Sequence, residues 1–279
     1  MQLSIRGVKK EFDTQQGRLW ALDETSLEIK SGEFVCFVGP SGCGKTTLLN
    51  LVAGLEVPTQ GEVWRNGATK VTGPGSDRVV IFQEAALFPW LNVIQNVEFG
   101  LVGRMEAPKR RDIARTFLNL VHLGRFEKSY VHELSGGMKS RVALARALAL
   151  NPSVLLMDEP FAALDAQTRD LLHEELQSIW QETHQTVLFV THNVREAVRL
   201  GDRVLVFTAR PGRIKKEFLI KLPRPRDINS PGVMTYAQQI QHELREEIEK
   251  VLREEVDHEW SLKKTDLLRP AGINLGSGI

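Results

Sequence analysis

The stretch VGPSGCGKTTLL, residues 38–49, places three glycines, a lysine and two threonines directly after the apolar run 34–37. Glycine gives up side-chain packing and costs backbone entropy, so this composition indicates a loop that a ligand approaches closely. The stretch fits G-x-x-x-x-G-K-[ST] through Gly39, Gly44, Lys45 and Thr46, with a strand-like run before it and a helical pattern after it. Inward-facing backbone N–H groups and the start of a helix would bind phosphate there.

Two side chains of this loop have predicted contacts. Lys45 would lie between the β- and γ-phosphates of a nucleotide, and the Thr46 hydroxyl would bind Mg²⁺. The glycines at 39, 42 and 44 do not follow G-x-G-x-x-G, so a dinucleotide is disfavoured. The alternative, a glycine-rich turn with a surface lysine, leaves the flanking strand and helix unexplained.

The composition excludes several classes of protein. The 279 residues carry 36 basic and 35 acidic side chains, so no strong field favours a nucleic-acid partner, and we predict none. Two cysteines, Cys36 and Cys43, give no disulfide framework, which favours a reducing cytosol. The first residues lack the apolar core of a signal peptide, and no run reaches the length of a membrane span. We expect any link to a membrane to pass through a partner.

The hydrophobic patterns predict an α/β fold. Short apolar runs typical of strands buried on both faces of a parallel sheet lie at 34–38, 79–82, 154–157 and 187–190. Alternating runs at 3–8 and 22–29 predict antiparallel strands with one solvated face. Helical periodicity appears at 45–52, 109–121, 137–150, 167–183 and 194–200, and further strand-like runs lie at 203–207 and 212–219.

Changes in pattern divide the chain. Strand signals vanish between 86 and 150, which predicts a helical subdomain, 86–150, inserted into an α/β core formed by 1–85 and 151–226. The stretch LPRPRDINSPG contains prolines and a glycine, which mark a boundary. We therefore predict that 227–279 is a helical tail outside the catalytic core.

Two carboxylates follow a buried strand in the stretch SVLLMDEP. Asp158 and Glu159 would lie at the carboxyl edge of the sheet, beside the phosphate-binding loop. One acid would hold Mg²⁺, and the other would act as the general base that polarises the attacking water. An ordinary helix N-cap is the alternative, and the neighbouring loop disfavours it.

A second glycine-containing helix start lies in HELSGGMKSR, residues 132–141. Ser135, Gly136 and Gly137 could form another anion site, although a plain N-cap at Ser135 is the better interpretation without further context. One nucleotide hardly needs two such sites in one chain. A dimer in which each copy's second site closes on the other copy's ATP would use both.

These motifs in this order resemble those of the ATP-binding-cassette (ABC) ATPases, the nucleotide-binding subunits of ABC transporters. The resemblance runs from about residue 3 to residue 226 and implies a P-loop (RecA-like) ABC ATPase core with an antiparallel β subdomain and an inserted helical subdomain. Its motifs are the P-loop at 39–46, Gln83 in IFQE, the signature at 134–137, Asp158 and Glu159, Asp165 in AALD, and His192 in VTHN.

The resemblance also implies the site residues for ATP and Mg²⁺. The implied catalytic residues are Glu159, His192, Lys45 and Gln83. The implied metal-binding residues are Thr46, Gln83 and Asp158. The implied ATP-binding residues are Phe12, Gly39, Pro40, Ser41, Gly42, Cys43, Gly44, Lys45, Thr46, Thr47, Gln83, Ser135, Gly136, Gly137, Asp165 and His192. Phe12 occupies the position of an aromatic that stacks on adenine, and Trp20 competes with it for this role.

The stretches LFPWLNVIQNVEFGL, FAALDAQTR and LPRPRD are similar to segments of the nitrate, sulfonate, taurine and bicarbonate importers of this family. That likeness implies a second ATPase subunit, two membrane permease subunits, an external solute-binding protein and a place on the cytoplasmic face of the inner membrane. Phe88 and Trp90 follow Gln83 and would contact the permease, because exposed aromatic clusters mark interfaces. Burial in the core is the alternative for these rings.

Other ABC proteins fit less well. A DNA-repair ATPase would need a long coiled coil between Lys45 and Leu134, and a translation factor would carry a second cassette. A degenerate cassette would have lost Glu159 or His192. Met138 and Ser140 depart from the usual Q-x-Q-R after the signature glycines, although Ser135 and Gly137 remain. The remaining alternatives are another import substrate or a split exporter.

The loop cysteine carries one further expectation. Cys43 precedes Lys45 by two residues and adjoins a helix start, so we expect a lowered pKa and a reactive thiolate. Cys36, on the buried strand, is expected to be inert.

Overall fold

The computed structural model describes residues 1–15 and 17–267, and over 254–267 it describes only the course of a helix. The strands are β1 (Leu3–Thr14), β2 (Gly17–Ile29), β3 (Phe34–Val38), β4 (Gln60–Arg65), β5 (Thr69–Lys70), β6 (Arg78–Ile81), β7 (Val154–Asp158), β8 (Thr186–Val190), β9 (Arg203–Phe207) and β10 (Ile214–Leu219). The α-helices are α1 (Lys45–Ala53), α2 (Val93–Glu98), α3 (Ala107–Leu120), α4 (Gly136–Ala149), α5 (Ala166–Thr183), α6 (Val194–Leu200) and α7 (Pro231–Leu267). Single 3-10 turns lie at Phe99–Leu101, Gly124–Phe126 and Val131–Glu133.

A six-stranded sheet positions the site. Its order is β10-β9-β3-β8-β7-β6, in which β10 alone runs antiparallel to its neighbour. Every residue of β3, β7 and β8 is buried, as their apolar sequences predict. The carboxyl ends of these three neighbouring strands meet at one edge. The loops that follow them therefore converge there.

A second sheet is antiparallel and has the order β2-β1-β4-β5. Its inner face contributes Leu3, Ile5, Leu22 and Val63 to a cluster that also contains Leu48 of α1 and the outer face of the parallel sheet. Far along the β1–β2 ribbon, Phe12 is paired with Leu19. This sheet forms the predicted antiparallel β part, and the predicted α/β fold class is confirmed.

Helices follow one another from α2 to α4, between β6 and β7 of the parallel sheet. Val97, Leu118 and Leu144 on their inner faces are buried in a common cluster. The buried side chain of Asn96 binds the backbone of the loop after β6. Its amide oxygen accepts from Phe88 N at 2.8 Å, and its amide nitrogen donates to the carbonyls of Phe88 and Leu91 at 3.2 Å each. This side chain shapes the loop after β6. The exact domain boundaries stay a prediction.

The first part of α7 packs into the core, so the expectation of a tail outside it is wrong for this segment. Val233, Ala237, Ile240 and Leu244 are buried in the same cluster as β9. Glu247, only 2% exposed, accepts a hydrogen bond of 2.9 Å from the backbone N–H of Ala209. The apolar stripe seen in the sequence is thus a core-facing stripe. Residues 268–279 of the predicted tail lie outside the described residues.

Among the helices that the structure describes, none combines the length and the apolar character needed to cross a membrane.

Candidate functional site: the edge of the parallel sheet

The loop between β3 and α1 requires its glycines. Gly42 and Gly44 have φ of 70° and 101°, a conformation that side chains disfavour. A Cβ on Gly44 would lie 2.6 Å from the carbonyl oxygen of Ala21, so β2 also excludes any larger residue. Lys45 is 7% exposed, and its Nζ donates to the carbonyls of Gly39 and Pro40 at 2.9 and 2.8 Å. The loop thus curls around its own lysine.

Thr46 and Asp158 meet across the sheet edge. The Thr46 hydroxyl donates to Oδ2 of Asp158 at 2.8 Å. Burial raises the pKa of Asp158, the Thr46 hydrogen bond opposes this rise, and the charge of Glu159 adds to it. In the described part of the chain, no cluster of three or more His, Cys, Asp or Glu side chains could hold a metal.

Glu159 and His192 form the next contact along the edge. His192 Nδ1 lies 3.0 Å from Oε2 of Glu159. Glu159 has φ of 46°, which is unusual for a residue with a side chain, and its backbone N–H donates to Val190 O at 3.0 Å. A left-handed residue maintained by the neighbouring strand is typical of functional loops. It directs the carboxylate to the histidine.

One cleft of about 490 Å³ unites these elements. Of the residues predicted for the site, it is lined by Phe12, Ser41, Gly42, Cys43, Gly44, Lys45, Thr46, Thr47, Gln83, Glu159 and His192. Gly39, Pro40 and Asp158 lie around it, as the Lys45 and Thr46 hydrogen bonds show. Below, this space is called the nucleotide cleft.

Sequence reasoning missed four residues that line the nucleotide cleft, namely Leu19, Ala21, Val190 and Arg210. Arg210 donates from Nε and Nη2 to the Gly42 carbonyl, at 2.9 and 2.7 Å. It follows β9, which pairs in parallel with β3. Given that strand order, an arginine just after β9 could have been placed beside the phosphate-binding loop.

The β1–β2 ribbon separates the two aromatic candidates. Phe12 lines the nucleotide cleft together with Leu19, its cross-strand partner. Trp20 lines a different depression with Lys9, Asp23 and Gln60. Adjacent residues of a strand point to opposite faces, which explains the separation of Leu19 and Trp20.

The expectation of a reactive Cys43 thiolate is wrong. Cys43 is 1% exposed, and burial raises the pKa of its thiol, although the charge of Lys45 opposes the rise. Burial raises the pKa of Cys36 even further from its ordinary value, as expected for an inert core cysteine. The charge of Lys45 does favour the Cys43 thiolate, as the sequence predicts, but the sequence does not show that Cys43 is buried.

The model of the ABC transporter family matches residues 22–162, about half of the chain. The chain belongs to the ABC transporter family.

Curated members of the ABC family cover most of its length. The chain is 49% identical to the nitrate import ATP-binding protein NrtD of Synechocystis sp., over 85% of this chain and 88% of the relative. It is 44% identical to the aliphatic sulfonates import ATP-binding protein SsuB of Bacillus cereus, over 82% and 90%. It is 47% identical to the taurine import ATP-binding protein TauB of Roseobacter denitrificans, over 77% and 81%. The resemblance to this importer branch is confirmed.

A solved ABC structure has the same fold. It is a dimeric ATP-binding cassette in a post-hydrolysis state, bound to ADP and Pi, with a TM-score of 0.72 and 34% identity. The match covers 79% of this chain and all of that one. The chain therefore carries a nucleotide-binding ABC ATPase domain.

The predicted ABC signature lies apart from the nucleotide cleft of its own chain. Ser135 caps α4 by accepting from Met138 N at 3.3 Å, and Asp165 caps α5 by accepting from Thr168 N at 2.9 Å. The Thr168 backbone contact lowers the pKa of Asp165. Neither residue lines the cleft, nor do Gly136 and Gly137. A Cβ on Gly137 would come within 3.3 Å of Ala163 O, so the signature packs beside the Asp165 loop.

A second cleft of about 310 Å³ is lined by residues on both sides of Gln83, from β6 and from the loop after it. The Phe88 ring lies in its wall, 4.3 Å from the ring of Phe99 and 5.5 Å from that of Trp90, which is 70% exposed. The Arg146 guanidinium lies 5.4 Å from the Phe88 ring and donates to the Ala85 and Ala86 carbonyls. Trp90 is therefore at the surface, and Phe88 beside it is half-buried rather than a core residue. Below, this space is called the aromatic groove.

Proposed function

We propose that this chain is the ATP-hydrolysing subunit of an ABC importer that energises uptake of a small anionic solute through separate permease subunits. The observation that carries the proposal is the nucleotide cleft, which brings Lys45, Thr46, Glu159 and His192 to one sheet edge. Phosphate-binding groups and a carboxylate–imidazole pair are what hydrolysis of a terminal phosphate requires.

ATP would bind with its phosphates in the 39–46 loop. Lys45 would exchange its contacts with the Gly39 and Pro40 carbonyls for contacts with phosphate oxygens. Phe12 would stack on the adenine, because it lines the same cleft at the end of the β1–β2 ribbon. Leu19 beside it adds apolar surface for the base.

Mg²⁺ fits the oxygen donors at this edge. The Thr46 hydroxyl and the Asp158 carboxylate already touch, and Gln83 lines the same cleft. Mg²⁺ prefers such oxygen ligands and is usually completed by substrate phosphates and water rather than by a protein cage. When bound, the ion neutralises charge on the β- and γ-phosphate oxygens.

Glu159 would accept the proton of the attacking water as general base. His192 would hold that carboxylate in place through Nδ1 and contact the γ-phosphate from its other side. The 3.0 Å contact between the two groups supports this division of roles.

The site would be completed by a second ATPase subunit, either another copy of this chain or a homologous one. Ser135, Gly136, Gly137 and Asp165 do not line their own chain's nucleotide cleft and are exposed or half-buried. We infer that they close on the ATP bound to the partner. The dimeric form of the solved ATP-binding cassette agrees with this arrangement.

The aromatic groove would receive a helix of the permease. Its lining is mostly apolar, the exposed Trp90 ring lies beside its Phe88, and its lining residues flank Gln83 of the nucleotide cleft in the chain. Docking there would associate the chain with two permease subunits at the cytoplasmic face of the inner membrane, and indirectly with a solute-binding protein. Gln83 would then connect permease and nucleotide.

The substrate proposal rests on the relatives, which are named for import of nitrate, aliphatic sulfonates and taurine. We infer an anion of the nitrate, sulfonate, taurine or bicarbonate type. The alternative is an ABC ATPase of another importer or of a split exporter.

The test has two stages. Purified chain should hydrolyse ATP only with Mg²⁺, and Lys45→Ala should abolish this activity. Cells lacking the gene should then lose uptake of one of the four labelled anions and regain it with wild-type chain but not with Lys45→Ala. Hydrolysis by Lys45→Ala at the wild-type rate would refute the site, and unchanged uptake of all four anions would refute the substrate class.

A further inference from the structure

A buried polar pair lies behind the nucleotide cleft. His173 on α5 is 0% exposed and Glu196 on α6 is 4% exposed. Nε2 of His173 lies 2.6 Å from Oε1 of Glu196. Neither residue lines the nucleotide cleft, and the proposed hydrolysis uses neither.

Glu196 is connected to both neighbours of His192. Its Oε2 accepts the hydroxyl proton of Thr191, and the Thr191 oxygen accepts from the backbone N–H of Asn193 at 3.0 Å. Asn193 in turn accepts from the Glu196 backbone N–H at 3.3 Å. The carboxylate therefore fixes the backbone on each side of the histidine.

His173 orients that carboxylate. Its Nδ1 faces Nη1 of Arg199 at 3.5 Å. A carboxylate only accepts hydrogen bonds, so Nε2 carries the proton directed to Glu196. Arg199 is anchored by Asp170 and Glu174, at 3.1 Å each, and the Phe161 ring packs edge-on against the imidazole at 5.0 Å. The donor to Glu196 thus has one orientation.

Packing alone does not fix the loop that carries His192. A cavity of about 20 Å³ lies between Glu159, His192 and Glu196, which is room for one water. Burying a carboxylate is costly unless donors satisfy it, and apolar side chains would stabilise a core as well or better. A polar pair at this place therefore indicates that it positions the loop carrying His192.

We propose that His173 and Glu196 are positioning residues that, through Thr191, hold His192 against Glu159. The proposal rests on the proposed role of His192 in hydrolysis. It extends the site by a chain of three buried groups that reaches from α5 to the reacting edge.

The test is a double-mutant cycle on ATP hydrolysis. His173→Leu should lower kcat about 10- to 100-fold, because misplacement of a reacting group by about 1 Å costs up to about 100-fold in rate. The Kd for ATP should change less than about twofold, since the phosphate-binding loop is untouched. His173→Gln, whose amide can still donate to Glu196, should recover most of the rate. Glu182→Gln, an exposed position near the other end of the same helix, should leave kcat unchanged.

The same His173→Leu change is then made in His192→Ala. If His173 acts through His192, its effect on kcat should fall below about twofold there, because interacting residues are non-additive. An equal loss in both backgrounds, or a loss of ATP affinity that matches the loss of kcat, would overturn the proposal. If His173→Leu does not fold, Thr191→Val removes only the hydroxyl link and enters the same cycle with the same criteria.

The cycle separates this inference from the proposed function. A His192→Ala protein as active as wild type would refute the proposed role of His192 itself. A slow His192→Ala protein beside fully active His173→Leu and Thr191→Val proteins would refute the positioning chain alone.

Discussion

Arg210 holds the phosphate-binding loop from outside, since its guanidinium donates two hydrogen bonds, of 2.9 and 2.7 Å, to the carbonyl oxygen of Gly42. Gly42 is left-handed, with φ of 70°. The contact thus supports a left-handed turn and places a positive charge beside the 39–46 loop in the nucleotide cleft.

Arg210→Ala should weaken ATP binding about 5- to 10-fold, which corresponds to the loss of roughly 1 kcal/mol from an exposed charged hydrogen bond. Titration with a fluorescent ATP analogue measures this. Arg213→Ala is the matched control, because Arg213 lies in the same loop but pairs with Asp23. Equal weakening by both variants would show that loop charge, and not the Gly42 contact, matters.

The aromatic groove gives a second prediction. Replacing both Phe88 and Trp90 by Ala should weaken assembly with the permease by more than about 1 kcal/mol per ring, as interface anchors do. The free subunit should keep its ATPase rate, because these rings lie outside the nucleotide cleft. Co-purification at low concentration measures the effect. Trp20→Ala removes an exposed ring elsewhere and serves as control; full assembly of the double variant would contradict the docking role.

The core position of α7 predicts unequal effects along one helix. Ile240 is 0% exposed, so Ile240→Ala should lower the free energy of unfolding by about 2–5 kcal/mol. Ile248 is 45% exposed, and Ile248→Ala should cost less than about 1 kcal/mol. Urea denaturation compares them. Truncation after Asp227 removes the buried stripe and should leave little folded protein. Equal stability of Ile240→Ala and Ile248→Ala would instead show that α7 is an appendage to the core.

The raised pKa of Cys43 predicts that its thiol reacts slowly with maleimide. A thiol whose pKa lies above its ordinary value has a smaller thiolate fraction at neutral pH, so maleimide labelling should be slower than that of free cysteine. The rate should rise about tenfold per pH unit from 7 to 9, and ATP should slow it because Cys43 lines the nucleotide cleft. Peptide mapping gives the rate. Labelling at pH 7 as fast as free cysteine would contradict the burial argument.

Local signals in the sequence predicted the elements that build the site edge. The strand Phe34–Val38 and the start of α1 at Lys45 have the bounds that the sequence predicts, because glycine spacing and a short all-buried strand leave few alternatives. The runs ending at Met157 and Val190 likewise gave β7 and β8 to within one residue at each end. These strands are apolar on both faces, so their pattern does not depend on neighbours.

Other features depend on tertiary context that no local pattern contains. In β4 only Val63 is buried, so its apolar periodicity was too weak to detect. The distal part of β1 is polar and is formed by pairing with β2. The position of Arg210 could be predicted only with the strand order, and the burial of Cys43 only with the packing around its loop. The surface against which the α7 stripe packs is known only from the fold itself.

The central claim is that two ATPase subunits close on ATP, with Glu159 as base on one side and Ser135 from the other. Glu159→Gln should bind ATP normally while hydrolysis falls by about 10²–10⁴, because the amide cannot take the proton. ATP should then trap the closed dimer.

The most direct measurement is the mass of Glu159→Gln with ATP, by size-exclusion chromatography with light scattering. The account predicts a dimer for Glu159→Gln and a monomer for Glu159→Gln combined with Ser135→Arg, since the added side chain blocks the partner's nucleotide. Both variants should bind ATP equally as monomers. A dimer of unchanged yield in the double variant would contradict the account.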